Sequence, residues 1–346
     1  MPVRALDAIP RAGLGHWPTP LQRCDRLRAA LGGLGSCPEI WVKREDCSGV
    51  AFGGNKVRKL DLILGEAARG DLDVVITFGA VQSNHCRQTA AACNMLGIDC
   101  ELVLAKIVPR HDELYEHGGN VLLDHLLGAT LHLVDDAIAG LELLHERQSE
   151  LEAAGRRVLS VPFGGSDLMG TLGYVVATEE WARQAAGVGL AGGFDRVVLA
   201  TSTGGTYAGT LLGVKRRGLP THVTGISAYG DAASAELGIV GLMAAAAAEL
   251  GIGPPDPRLV EVRDEFLGGG YGILTDGVIE AVRLFAQTES LLLDPVYSGK
   301  AGAGLISLIR SGEIAASERV LFIHTGGGPG LFAYGDAILG REAFSP

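Results

Sequence analysis

Residues 74–84 read Val-Val-Ile-Thr-Phe-Gly-Ala-Val-Gln-Ser-Asn, a β-branched and apolar run that leads through a polar loop into a helical pattern ending near Gly97. The same alternation continues with strand-like runs at residues 102–104, 131–134 and 158–161. Strands that are apolar throughout are typical of parallel sheets whose two faces are covered by helical crossovers. The sequence therefore predicts a small open α/β domain built on four strands.

A second set of strand-like runs predicts a larger α/β domain with its own open, twisted, mainly parallel sheet. Its runs are residues 40–43, 197–200, 223–226 and 320–323. The run 40–43 has no partner near it in sequence, so residues 1–55 and 171–346 are expected to form a discontinuous large domain. Residues 56–170 would form the small domain inserted into it. Ligands in such folds bind beyond the carboxyl ends of the strands, so we expect a site in the cleft between the domains.

Composition excludes some classes of partner. The net charge of −11 argues against nucleic acid and anionic membranes, which both require a basic face. The N-terminal residues lack the pattern of a signal peptide, and residues 244–248 are expected in a short alanine-rich helix that ends at Glu249. We therefore expect a cytoplasmic protein, and a small anionic ligand bound by local donors stays open.

Six cysteines lie in the first third of the chain and form no Cys-x-x-Cys pair. This scatter suits neither a zinc site nor a disulfide framework. We expect no metal, reduced thiols, and packing of Cys86, Cys93 and Cys100 near or within the core of the small domain.

Lys56 follows Gly53-Gly54-Asn55 and begins an amphipathic helical pattern. A positive charge is mildly unfavourable at a helix N-terminus, and a lysine whose pKa is lowered is a potential nucleophile. From this segment alone, a solvated lysine is the more frequent outcome. The other loops of the chain decide between the two interpretations.

Residues 200–206, Ala-Thr-Ser-Thr-Gly-Gly-Thr, follow a strand and open a helix. Consecutive amides, two glycines and flanking hydroxyls can bind a phosphate at a helix start. There is no Walker lysine and no G-x-G-x-x-G spacing, which leaves a single phosphate monoester. The alternative is an ordinary capped turn.

Three further loops carry polar groups. The loop 79–85 offers a hydroxyl, a carboxamide and helix-start amides, which suit a carboxylate; its His85 is a candidate general base, although local hydrogen bonding is the more frequent role. In the loop 294–300, Tyr297 could point into a cleft or pack in the loop. The loop 324–330 has four glycines within five positions, which indicates close approach of the backbone to a ligand.

A nucleophilic lysine, a site for one phosphate and a carboxylate receptor together indicate one cofactor. Pyridoxal 5′-phosphate requires a Schiff-base lysine, a phosphate site and a partner for its ring nitrogen. An amino-acid substrate requires the carboxylate receptor. The sequence therefore predicts a pyridoxal-phosphate enzyme.

On these motifs the chain resembles the D-cysteine desulfhydrase and 1-aminocyclopropane-1-carboxylate deaminase family, of the tryptophan-synthase β-like group (fold type II). The resemblance extends from Leu14 to Tyr334. The motifs that carry it are residues 43–46 (Lys-Arg-Glu-Asp), 53–59 (Gly-Gly-Asn-Lys-Val-Arg-Lys), 82–88 (Gln-Ser-Asn-His-Cys-Arg-Gln) and 294–297 (Asp-Pro-Val-Tyr). It implies two α/β domains with the cofactor in the cleft between them, and a homodimer.

The resemblance also implies residue roles. Lys56 would form the Schiff base and move the α-proton, Ser83 and Asn84 would bind the substrate carboxylate and the cofactor ring oxygen, and Tyr297 with Tyr271 would handle protons at the β-carbon. The implied catalytic residues are Lys56, Tyr297 and Ser83. The implied cofactor-binding residues are Lys56, Asn55, Asn84, Thr203, Gly204, Gly205, Thr206, Ser298 and Thr325. The implied substrate-binding residues are Ser83, Asn84, His85, Tyr271 and Tyr297.

Ser298 separates the branches of this family. By resemblance, the deaminases carry glutamate there, which keeps the ring nitrogen protonated; a serine gives only a neutral hydrogen bond and a weaker electron sink. This favours α,β-elimination, most simply of D-cysteine to pyruvate, ammonia and hydrogen sulfide. An L-cysteate sulfo-lyase and, less favoured, a 1-aminocyclopropane-1-carboxylate deaminase stay open, as does a non-catalytic amino-acid-binding member of the fold.

Overall fold

The computed structural model describes residues 5–33, 35–67, 70 and 72–340. The strands are β1 (Leu21–Arg23), β2 (Glu39–Arg44), β3 (Val74–Ala80), β4 (Asp99–Ala105), β5 (Thr130–Val134), β6 (Val158–Val161), β7 (Arg196–Thr201), β8 (His222–Ser227), β9 (Glu261–Arg263) and β10 (Arg319–His324). The α-helices are α1 (Asp25–Ala30), α2 (Lys56–Ile63), α3 (Asn84–Leu96), α4 (Glu113–His117), α5 (Gly119–Leu126), α6 (Ala137–Ala153), α7 (Leu168–Gly187), α8 (Gly205–Arg216), α9 (Ala232–Glu249), α10 (Asp276–Glu289), α11 (Ser298–Ser311), α12 (Gly328–Phe332) and α13 (Gly335–Leu339).

The larger sheet has six strands in the order β1-β2-β10-β7-β8-β9. All pairs are parallel except β1 with β2, which is antiparallel. The predicted union of run 40–43 with the later strands is confirmed, since Ile40 pairs with Val320. Sequence analysis missed β1 and β9 because each has only three residues and pairs far away in sequence.

The smaller sheet has four parallel strands in the order β5-β4-β3-β6. These are the four strands predicted between residues 74 and 161, so the α/β class with two mainly parallel sheets is confirmed. The exact domain boundaries, at residues 55 and 170, stay a prediction.

Apolar side chains cover both faces of the larger sheet. One cluster joins the strands to α1, α10 and α11, with Phe285 and Phe322 at its centre. The other joins them to α7, α8 and α9 through Trp181 and Tyr207. A further cluster, between α2, α3 and the smaller sheet, contains Cys86, Cys93 and Cys100, as predicted. Because helices cover both faces of the larger sheet, the loops at the ends of its strands are the parts left open to a ligand.

The helix α9 differs from its prediction. The short alanine-rich helix expected around residues 244–248 is an 18-residue helix with a mean hydropathy of 1.3, and 22% of it is buried. Among the described residues it is long and apolar enough to cross a membrane by length and composition, which is weak evidence because helices of soluble proteins also pass this test. Ile239 and Met243 pack against the larger sheet, and the opposite face is exposed.

Candidate active site

A cavity opens where loops from the two sheets meet the start of α2. It is lined by the residues that follow β3, β6, β7 and β10, at the carboxyl ends of these strands, where ligands of parallel α/β folds bind. Its lining residues are Asn55, Lys56, Ser83, Asn84, His85, Phe163, Gly164, Ala200, Thr201, Ser202, Thr203, Gly204, Thr206, Tyr297, Thr325 and Gly326. Most of the predicted site residues therefore line one cavity, and Gly205, Tyr271 and Ser298 lie beside or behind its wall.

Lys56 is the first residue of α2, as the glycine-rich segment before it predicted. Burial lowers the pKa of its amine to about 8, so the free amine is far more accessible near neutral pH than in an exposed lysine. Asn55 fixes this helix start, because its backbone N–H donates to the Thr325 carbonyl at 2.9 Å and its Nδ2 donates to Thr206 Oγ1 at 2.9 Å. The nucleophile is thereby tied to the loops after β7 and β10.

Thr203 to Thr206 form the start of α8. Gly204, the N-cap of α8, has a φ of +83°, a left-handed conformation that favours glycine. Gly204 and Thr206 both line the cavity, so the start of α8 lies at its wall. The Thr203 hydroxyl lies 2.5 Å from Ser166 Oγ, and the Thr206 hydroxyl accepts from Asn55 and retains its own hydrogen. The Gly205 N–H donates to Ser166 Oγ in a long bond of 3.3 Å, and helix-start amides with hydroxyls on both sides fit a phosphate group.

A second buried lysine, which sequence analysis did not assign, lies at this phosphate site. Lys59 Nζ donates to the Gly164 carbonyl at 3.1 Å and to Ser166 Oγ at 2.9 Å. A Cβ added to Gly205 would lie 2.9 Å from this nitrogen. Burial, with the charge of Lys56 in addition, holds the pKa of Lys59 well below its ordinary value. Two buried amines beside a helix N-terminus favour the binding of an anion at this position.

The carboxamide of Asn84 has a fixed orientation. Its Oδ1 accepts hydrogen bonds from Arg87 at 3.0 Å and from Asn120 Nδ2 at 3.0 Å. Since both partners are donors, the Nδ2 group of Asn84 is left to donate to a ligand. Arg87 and Asn120 are fully buried and joined by a 2.5 Å hydrogen bond. This arrangement suits an anionic oxygen, such as the substrate carboxylate or the cofactor ring oxygen that the resemblance implied for Ser83 and Asn84.

Ser83 is the N-cap of α3. Its Oγ accepts from the backbone N–H of Cys86 at 3.2 Å, so the hydroxyl hydrogen is free to donate to a carboxylate. Ser83 and Asn84 thus present two donors side by side at the amino end of a helix, which stabilises negative charge. The carboxylate-receptor prediction for this loop fits the geometry.

His85 makes the local hydrogen bond that sequence analysis favoured over a general-base role. Its Nε2 lies 2.9 Å from Thr77 Oγ1, whose hydrogen is donated to the Val161 carbonyl at 2.7 Å. Nε2 must therefore be the donor, and Nδ1 is a bare acceptor with no protein partner. Burial and the charges of Lys56 and Lys59 hold the pKa of His85 well below its ordinary value, so the ring is neutral.

Two tyrosines close the other side of the cavity. The hydroxyls of Tyr271 and Tyr297 are 2.7 Å apart, and their rings meet edge to face with centroids 5.8 Å apart. Burial raises the pKa of both phenols, so both stay protonated at neutral pH. Tyr271 touches the cavity only through Tyr297, which lines it.

Ser298 lies behind the cavity wall, fully buried. Its hydroxyl donates to Asp294 Oδ1 at 2.6 Å and accepts from the Asp294 backbone N–H at 2.8 Å. Thr325, also predicted to bind the cofactor, does line the cavity. The role of Ser298 toward the cofactor nitrogen stays a prediction.

Sequence analysis also missed the loop Phe163-Gly164-Gly165-Ser166 after β6. Phe163 and Gly164 line the cavity, and a Cβ on Gly164 would lie 2.7 Å from Thr203 Oγ1 and 3.4 Å from Lys56 Nζ. Two glycines and a serine at the carboxyl end of a predicted strand are the same signal that identified the other loops. That signal was sufficient to find this one.

Comparison with known proteins decides the family. A profile of the family described as "Pyridoxal-phosphate dependent enzyme" matches residues 13–326. The chain belongs to this family. Its cofactor is pyridoxal phosphate, and the lysine, phosphate site and oriented donors described above fit that group.

Two relatives narrow the position within the pyridoxal-phosphate enzymes. A 1-aminocyclopropane-1-carboxylate deaminase of Mesorhizobium japonicum is 39% identical over 336 residues, which cover 95% of this chain and 98% of the relative. A D-cysteine desulfhydrase of Salmonella choleraesuis is 38% identical over 337 residues, covering 96% and 99%. The chain is therefore a pyridoxal-phosphate-dependent lyase of this group, and the alternative of a non-catalytic member is wrong.

Solved structures agree on the fold. A structure described as the ACC deaminase homologue superposes with a TM-score of 0.85 at 37% identity and covers 97% of both chains. Threonine deaminase isoform 2 from Solanum lycopersicum has a TM-score of 0.64 at 19% identity, over 93% of this chain and 82% of that one. The second likeness shows the fold alone.

Proposed function

We propose that this lyase catalyses α,β-elimination on D-cysteine, giving pyruvate, ammonia and hydrogen sulfide. The observation that carries the proposal is the chemistry of the cavity wall. None of the described residues that line the cavity is acidic. The ring nitrogen of a bound cofactor would therefore find no carboxylate partner in this lining, which suits loss of a good leaving group better than opening of a cyclopropane ring.

The carboxylate of Asp294, behind this wall, already accepts its full set of hydrogen bonds. Asp294 is buried and accepts from the backbone N–H groups of Val296, Tyr297 and Ser298 at 2.8–2.9 Å, and from the Ser298 hydroxyl at 2.6 Å. Four donors satisfy the lone pairs of both carboxylate oxygens. Asp294 thus stabilises the loop before α11 and has no acceptor capacity left for a protonated ring nitrogen.

The side chains divide the chemistry between two sides of the cavity. Pyridoxal phosphate, when bound, withdraws electrons from the substrate α-carbon and so acidifies its α-proton. Lys56 Nζ, with a pKa near 8, accepts that proton as a free amine. Ser83 and Asn84 donate to anionic oxygens and hold the α-carbon in place. Tyr297, protonated and supported by Tyr271, donates a hydrogen bond to the leaving sulfur.

The overall reaction balances without an oxidant. The α-C–H bond and the β-C–S bond break, the electron pair of the C–H bond forms the new carbon–carbon double bond, and sulfur leaves with its bonding electrons and a proton. Hydrolysis of the resulting enamine product gives pyruvate and ammonia. No other co-reactant than water is required.

A substrate panel tests the proposal. D-Cysteine, L-cysteine, L-cysteate and 1-aminocyclopropane-1-carboxylate are offered to the holoenzyme, and pyruvate, sulfide, sulfite and 2-oxobutyrate are measured. We expect D-cysteine to give pyruvate and sulfide in equal amounts with the highest kcat/KM. Sulfite from L-cysteate at a higher kcat/KM would favour the sulfo-lyase, and efficient formation of 2-oxobutyrate would assign the chain to the deaminases.

We also propose that the enzyme is a cytoplasmic homodimer. The outer face of α9 supports self-association, because Leu237 is 76% exposed beside the exposed small residues Gly238, Gly241 and Ala245. The six free thiols suit a reducing compartment. Light scattering on the purified protein and on L237E tests the assembly, and a monomeric unmodified protein would refute it.

A further inference from the structure

Lys300 is a buried amine that the chemistry described above does not use. It lies in the first turn of α11, three residues after Tyr297, with its side chain fully buried. Its Nζ donates to two backbone carbonyls, that of Leu267 at 2.8 Å and that of Gly270 at 2.7 Å. It therefore joins α11 to the loop that precedes α10.

This loop has little rigidity of its own. Gly268, Gly270 and Gly272 all have positive φ values, of +66°, +137° and +72°. Such glycine-rich backbone has many accessible conformations and loses much entropy when it is fixed. The local backbone hydrogen bonds, such as the long 3.3 Å bond from Ile273 N–H to the Gly270 carbonyl, contribute little order.

The same loop carries Tyr271. The residue that Lys300 binds, Gly270, precedes Tyr271 directly, and the Tyr271 hydroxyl lies 2.7 Å from that of Tyr297. Tyr297 is the N-cap residue of α11, so Lys300 and Tyr297 move as one element. A clamp between Lys300 and the loop thus sets the distance between the two tyrosine rings.

Burying the amine of Lys300 has a desolvation cost that an apolar side chain of similar size would avoid. Desolvation lowers the pKa of Lys300 to about 8, and the charge of Asp294 offsets only part of that effect. A methionine would fill similar space without the desolvation cost. Even a neutral amine has two hydrogens for the two carbonyls, so the clamp holds in either protonation state.

We propose that Lys300 is a positioning residue for Tyr271. Its amine clamps the carbonyls of Leu267 and Gly270 and so holds the Tyr271–Tyr297 pair at the substrate side of the cavity. The inference rests on the proposed function only in assigning the tyrosine pair to the leaving-group side. The clamp itself is independent of which amino acid is the substrate.

Hydrogen exchange of the holoenzyme tests the clamp without catalysis. In K300M, amides of residues 267–273 should exchange about tenfold faster or more, because opening of the loop is no longer opposed. K43M is the control for loss of a buried amine elsewhere: Lys43 is almost as buried as Lys300, but it donates to the Thr19 carbonyl, Glu180 and Gln184 and not to this loop, so its loss should not raise exchange selectively in residues 267–273. If K300M does not fold, K300Q replaces it. Unchanged exchange in residues 267–273 would overturn the proposal.

A double-mutant cycle tests the route through Tyr271. K300M should lower kcat by about 10- to 100-fold, as expected for a misplaced group, with a smaller change in KM. In the Y271F background, K300M should lower kcat by less than about twofold, since both changes disable the same pair. Additive losses would refute positioning through Tyr271. If D-cysteine is not turned over, the proposed function fails, and the cycle is measured on whichever amino acid of the panel reacts.

Discussion

Arg58→Met should be among the most damaging substitutions outside the cavity. The guanidinium is nearly fully buried, with 3% of its side chain exposed, between two carboxylates. It donates to both oxygens of Glu45, to both oxygens of Glu180 at 2.7 and 3.2 Å, and to Thr19 Oγ1 at 3.1 Å. Methionine fills the space of the stem and removes all five hydrogen bonds.

The expected cost follows from burial. Glu45 and Glu180 have 0% and 10% of their side chains exposed, so the substitution leaves Glu45 in the interior without its counter-ion and Glu180 with Lys43 alone, at 2.5 Å. Removing one partner of a buried pair costs about 3–5 kcal/mol in free energy of unfolding. Typical proteins have only about 5–15 kcal/mol in total. Because Arg58 lies two residues after Lys56 on α2, the variant should also retain its cofactor less well.

Urea unfolding of the holoenzyme measures this cost, with saturating cofactor in both samples. R310M is the matched control, since Arg310 makes a comparable two-bond contact with Glu280 at the surface, where an ion pair contributes about 1 kcal/mol or less. The double variant E45Q/R58M should recover part of the loss, because it removes one unpaired charge. A loss of less than about 1 kcal/mol in R58M, equal to that of R310M, would refute the reasoning.

Three further predictions follow from single side chains. Lys56→Ala should abolish the visible absorbance of lysine-bound cofactor and lower turnover by orders of magnitude; an unchanged spectrum would reject the assignment. Thr206→Val should weaken cofactor binding by about 1–3 kcal/mol in equilibrium titration, and unchanged affinity would place the phosphate elsewhere. Burial would raise the pKa of Glu261, but hydrogen bonds from His222 and Thr224 outweigh it and lower the pKa to about 2. Its contribution to stability is therefore present above pH 4.5 and lost as the pH falls toward 2, so Glu261→Gln should flatten this part of the stability profile; an unchanged profile would contradict the shift.

Much of the site could be predicted because loops at strand ends carry it. Polar residues after apolar strand-like runs identified Ser83, Asn84 and Thr203, since the carboxyl ends of parallel strands meet in space, and Lys56 and Tyr297 were identified just ahead of helical patterns. The supporting residues gave no such signal. Asn120, which orients Asn84, lies at the start of α5, and nothing in its local sequence indicates a distance of 3.0 Å to that carboxamide.

Lys59 and Lys300 show the same limit for charged groups. Each stands in a motif that sequence analysis quoted, but a lysine is exposed in most proteins, and burial depends on neighbours far away in the chain. Lys59 is buried by Ser166 and Gly164, more than 100 residues away, and Lys300 by the loop of Gly270. Burial lowers the pKa of both amines, and the charge of Lys56 lowers that of Lys59 further.

By itself, the sequence determined the α/β class, the longer strands of both sheets and four of the loops that reach the cavity, because periodicity and turn residues are local properties of the chain. Only the tertiary structure decided which way each donor faces. Asn84 presents its Nδ2 because Arg87 and Asn120 occupy its oxygen, and Ser298 turns from the cavity because Asp294 holds its hydroxyl. Hydrogen-bond direction and burial are set by partners that meet only when the chain has folded, and for this reason they could not be read from residue order.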